Sequence, residues 1–151
     1  MRFYILIMLM CCSLIACESI AVFSTPQKKA ITAKDPWTNK AERFFWDTLH
    51  QGRYSDIDES VRLLMIAYLK NPNDPQLAAH LGFMHTWKIT ERDRKKPNPL
   101  MPDQIILAKK YFQDAATLMP KNPIYQGFLG DTQLVEGQIF KDKREQVRGY
   151  Y

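Results

Sequence analysis

Cysteine is missing from nearly the whole chain. Of its three cysteines, Cys11 and Cys12 lie in an N-terminal apolar stretch and Cys17 follows it directly, so residues 18–151 hold none. A disulfide framework and a thiolate metal site are thereby excluded beyond Cys17, and stability is left to packing. Alternating runs of strand type are also missing, which argues against a sheet. So are low-complexity tracts; the composition, with 12% aromatic residues, is that of a folded domain. No nucleophile elbow, phosphate loop, metalloprotease helix or framed pair of carboxylates occurs, and no enzymatic activity is expected. The net charge is +5, but no basic stripe interleaved with aromatics accompanies it. Nucleic acid is therefore not an expected partner.

What is present begins with Arg2 and the apolar run Phe3-Tyr4-Ile5-Leu6-Ile7-Met8-Leu9-Met10, too short to span a bilayer comfortably. A basic start and a short apolar core predict a signal peptide over residues 1–16. At its end stands Leu14-Ile15-Ala16-Cys17. This resembles the lipobox of bacterial lipoproteins, a resemblance that implies cleavage before Cys17 and acyl chains on its sulfur and its new amino group. Each buried methylene then contributes roughly 0.8 kcal/mol to anchoring. Two other readings of the segment are an ordinary secretory signal cut near Ala16 and an uncleaved anchor helix, against which Glu18 counts. By analogy with the sorting rule of enteric bacteria, Glu18 after the lipidated cysteine implies the outer membrane, with the protein facing the periplasm. Residues 17–34, with Ser24-Thr25-Pro26-Gln27, show no clear period and are expected to be a flexible tether.

The domain expected over 35–151 opens on a dipeptide that recurs: Asp35-Pro36, Asp74-Pro75 and Asn122-Pro123. An Asp or Asn side chain accepts an orphan backbone N–H of a helix, and a following proline has no N–H to leave unsatisfied. Three such starts predict a repeat. Apolar spacing places helices over Trp37–Gln51 (stopped by Gly52), Ile57–Lys70 (capped by Asp56), Pro75–Thr90, Asp103–Met119 and Ile124–Glu136 (stopped by Gly137). A charged segment, Ile139–Arg148, closes the series. The expected fold class is all-α, built of antiparallel helical hairpins.

These residues resemble the tetratricopeptide repeat, a unit of two antiparallel helices. Leu81-Gly82, then Ala108, Phe112, Ala115 and Pro120, match its small, aromatic, small and proline positions; Leu129-Gly130 with Gly137, and Gln51-Gly52-Arg53-Tyr54 with Ala67 and Pro72, supply parts of two more units. The resemblance covers roughly residues 36 to 140 and implies a short solenoid of about three repeats. Departures are the bulky Phe45 at a usually small position, the basic insertion Glu91 to Pro102, and an incomplete third unit.

In such repeats the first helices line a concave groove. On this chain that face carries Glu42, Trp46, Leu49 and His50, then Gln76, Ala79, Phe83, Thr86 and Trp87, then Asp131 and Leu134. Rigid rings at Trp46, Phe83 and Trp87 suit a protein or peptide partner, whereas the competing reading makes them core. The expected partner-binding residues are Trp46, His50, Gln76, Phe83, Trp87 and Asp131. Arg92 to Lys96 are either a solvated loop or a contact with anionic headgroups. The leading expectation is a lipid-anchored, periplasm-facing helical-repeat scaffold, for instance an envelope assembly factor, without cofactor. The alternative is a small-ligand, haem or metal binding protein using His50, His80 and His85, although His80 and His85 diverge around a helix.

Overall fold

The computed structural model describes residues 28–32, 35–90 and 101–150. The expected signal peptide, Cys17, most of the expected tether and the basic stretch Arg92 to Lys96 lie outside the described residues. Six α-helices follow in order: α1 (Pro36–His50), α2 (Ile57–Lys70), α3 (Pro75–Thr90), α4 (Met101–Leu118), α5 (Pro123–Phe140) and α6 (Lys143–Tyr150), with one 3₁₀ turn at Tyr54–Asp56. Among the described residues there is no strand, and no helix is long and apolar enough to cross a membrane.

All three Asx-Pro starts form as caps. Asp35 accepts from the backbone N–H of Trp37 (2.8 Å), Asp74 from that of Gln76 (2.9 Å), and Asn122 from that of Ile124 (3.0 Å). Asp35 also accepts from the Thr38 hydroxyl, at 2.7 Å, and from Asn71 Nδ2, at 2.7 Å, which ties the start of α1 to the end of α2. Led by the Thr38 hydroxyl bond, these donors hold its carboxyl down to about 2. Gly52 closes α1 at φ +60, a left-handed conformation that costs glycine little. Of the expected tether, residues 28–32 are in view, and the Ile31 N–H donates to the Asn73 carbonyl at 2.9 Å.

Two local expectations fail. Asp56 makes no side-chain cap for α2; its carboxylate instead holds Arg53 Nε at 2.9 Å, a competing partner one turn back. Gly137 does not stop α5, which runs on to Phe140 and turns at Lys141, φ 55. The glycine serves packing instead: a Cβ there would lie 2.7 Å from the Gln146 backbone nitrogen and 2.9 Å from the Asp142 carbonyl oxygen. Thus α6 folds back on α5 where side chains are smallest, with Gln146 Nε2 donating to the Gly137 carbonyl (3.0 Å) and Lys109 of α4 paired with Glu136 and Glu145.

Each helix packs against its successor, and α1 also meets α3. Ring contacts link next-but-one helices along the chain: Phe45 of α1 with His80 of α3, Tyr68 of α2 with Tyr111 of α4, and Phe83 of α3 with Phe128 of α5. The core is Phe45, Leu64, Leu77, Leu81, Met84 and Phe112, all buried. Each such side chain contributes about 1.5–3 kcal/mol through removal from water. Gly82 admits the Phe112 ring so closely that a Cβ would meet it at 2.9 Å. The result is an all-helical bundle in which small residues of α3 bring α4 near.

Candidate binding groove

Along α1 the consecutive residues Phe45 and Trp46 take different environments. Phe45 is buried against α3, while Trp46 keeps 41% of its surface exposed. On α3, Phe83, Thr86 and Trp87 are half-buried and fall on one face by their three- and four-residue spacing. The two faces enclose a cavity of about 270 Å³ lined by Phe45, Trp46, Leu49, Phe83, Met84, Thr86, Trp87 and Thr90, an almost wholly apolar surface open on one side. Such a concave apolar surface with exposed rings is the kind that holds an apolar side chain of a ligand.

Three of the sequence-predicted residues, Trp46, Phe83 and Trp87, therefore meet in one place, and the competing core reading describes only part of Phe83 and Trp87. Phe83 is braced edge-on by Phe112 and Phe128, with ring centroids at 5.2 Å and 4.4 Å. His50 is exposed beside the groove, its ring 5.4 Å from that of Trp46. Gln76, half-buried at the start of α3, and Asp131, exposed on α5, do not line the cavity. Leu134, expected on the same face, packs against Gly149 of α6, so the last helix takes up that position. Phe45 and Met84 line the cavity unforeseen. Their signal was the apolar stripe of each helix, on which both residues stand.

Below the rings the face turns polar. His80 stacks on Phe45 (centroids 4.0 Å) and meets Trp46 edge-on at 5.4 Å, while its Nδ1 lies 3.9 Å from Glu42 Oε1. Burial pushes the His80 imidazole down to about 4, so it is neutral at pH 7. Glu42 is pushed above the usual carboxylate range by burial and by the charge of Asp74. The Tyr125 phenol of α5 is raised by burial and by the charges of Asp74 and Glu42.

His85 faces another way. Its Nδ1 lies 2.8 Å from Gln104 Oε1, and its ring stacks on Tyr111, with centroids 5.7 Å apart. The three histidines are thus not brought together, and among the described residues no group of three His, Cys, Asp or Glu side chains is arranged to hold a metal ion. No protein-family model matches the chain, and no curated protein or solved structure is significantly similar to it.

Proposed function

We propose that this chain is a helical-repeat scaffold that holds a protein or peptide segment of a partner, and that it is fixed to the bacterial envelope through lipid on Cys17. The carrying observation is the open apolar cavity between α1 and α3, in which Trp46, Phe83 and Trp87 converge. The pairs α1–α2, α3–α4 and α5–α6 are read as three stacked hairpins of the tetratricopeptide type, the third incomplete. Contacts between next-but-one helices and the Gly82–Phe112 approach favour that reading. Rigid rings supply contact area at low entropic cost, and the cavity is large enough for one or two apolar side chains. Anchoring by Cys17 would set this face toward the periplasm, where envelope complexes are assembled.

The test is a photo-crosslinking residue at Thr86, in the groove, in cells carrying the full-length chain. A discrete crosslinked partner is expected, and Trp46→Ala with Trp87→Ala should abolish it, since each lost ring costs about 2 kcal/mol or more of binding at such a position. A crosslink that survives in a folded double variant overturns the groove reading. Cys17→Ser should release the chain from membranes and remove metabolically incorporated palmitate; retention with no label in either form overturns the anchor.

A further inference from the structure

We propose that the segment held in this groove carries a lysine or arginine next to its apolar side chains, the apolar ones filling the Trp46–Phe83–Trp87 cavity and the cation meeting Glu42 beside it. This rests on the peptide-binding reading of the groove and adds the chemistry of the occupant.

Glu42 stands three and four residues before Phe45 and Trp46 on α1, so its side chain shares their face one turn away. The carboxylate is sheltered, with 27% of its side chain exposed, yet among the described residues no lysine or arginine pairs with it. Lys40 and Arg43, its neighbours along α1, line a shallow hollow with Asn39 and Asp47 elsewhere on the helix. His80 Nδ1 lies 3.9 Å from Glu42 Oε1; the histidine is buried, at 5% exposure, and its Nδ1 makes no hydrogen bond. A neutral imidazole there carries no charge to offset the carboxylate. The charge of Asp74, whose Oδ1 caps the start of α3, adds to the negative potential at Glu42.

The chain as a whole is basic, at +5, so a sheltered negative spot adjoining this apolar concavity is complementary to a cation attached to an apolar chain. A guanidinium fits best, because it presents several donors to the carboxylate and packs its flat face on rings such as Trp46.

Selection of a random nonapeptide phage library on the full-length chain, purified in detergent, tests this. The expected result is enrichment of peptides with apolar residues beside Arg or Lys. On Glu42→Gln the apolar pattern should persist while the basic preference disappears, with about tenfold weaker binding of a wild-type-selected peptide. On Glu42→Lys the preference should turn to Asp and Glu. Circular dichroism confirms that each variant is folded, and Glu42→Gln, nearly isosteric, is the one least disturbing to packing. Apolar peptides without a basic preference, or a basic preference unchanged on both variants, overturn this inference and leave the groove reading standing. No enrichment at all, or peptides indifferent to Trp46→Ala with Trp87→Ala, overturns both.

Discussion

Alanine at Gly82 and alanine at Gly127 should move stability in opposite directions, although both glycines lie inside helices. At Gly127 of α5 a Cβ would meet nothing within 4 Å, so the change only removes backbone freedom from the unfolded chain. It should stabilise by roughly 0.5–1 kcal/mol. At Gly82 the same gain is opposed by contact. The added Cβ would lie 2.9, 2.9 and 3.0 Å from three atoms of the Phe112 ring. That ring is fully buried, edge-on to Phe83 and stacked on Phe128 with centroids 5.2 Å away in both cases, so it cannot swing into open space. Overpacking of this kind costs about 1–3 kcal/mol. The net expectation is a loss of about 1 kcal/mol at Gly82, and a separation between the two variants of about 2 kcal/mol. Urea unfolding followed by circular dichroism should show it as midpoints differing by 1 to 2 M, roughly, at an unchanged slope. Equal stabilisation by both variants would refute the reasoning, since Phe112 would then be free to yield and Gly82 would not set the approach of α3 to α4.

Stability should fall on mild acidification because of His80. Its folded-state pKa is about 4 whereas an unfolded histidine titrates near 6.5, so between those values the unfolded chain binds a proton that the folded chain refuses. The loss accumulates from pH 6.5 down to pH 4, reaches about 3 kcal/mol, and then levels off. His85, depressed chiefly by burial, acts in the same direction, while Glu42, raised, acts oppositely above the usual glutamate range. His80→Leu should flatten the slope measured by urea unfolding in that window; an unaltered slope refutes the assignment. Gly149→Ala should detach α6 without unfolding the rest, because a Cβ there would fall 2.5 Å from Leu134 Cγ and 2.6 Å from the Gly130 carbonyl oxygen, and α6 buries no residue of its own. Faster proteolytic cutting near Lys141, with an unchanged global midpoint, is the expected outcome. Equal cutting rates would show that α6 is not held by this contact.

Helix starts were legible in the sequence because capping is local. Asp35, Asp74 and Asn122 each reach backbone N–H groups two residues on, and nothing distant decides that. The periodic spacing of apolar residues likewise marked α2 and α3 at the bounds observed, whereas Trp46, Phe83 and Trp87 were grouped through the resemblance to the tetratricopeptide repeat, not through spacing. Local signals were overridden where a neighbour competed. Asp56 had the residue type of a cap but was taken by Arg53, and Gly137 had the residue type of a stop but was used to let α6 approach.

The sequence by itself determined that the chain is helical, where α1, α3 and α5 begin, and which stripe of each is apolar, since these follow from contacts a few residues apart. Only the tertiary structure decided that Phe45 is core while Trp46 beside it stays open, that His80 lies buried and neutral between those rings and Glu42, and that Leu134 is covered by α6. Those outcomes depend on how closely α1, α3 and α5 approach across long stretches of chain. The approach is set by the small residues and rings that meet there, which no single helix carries alone.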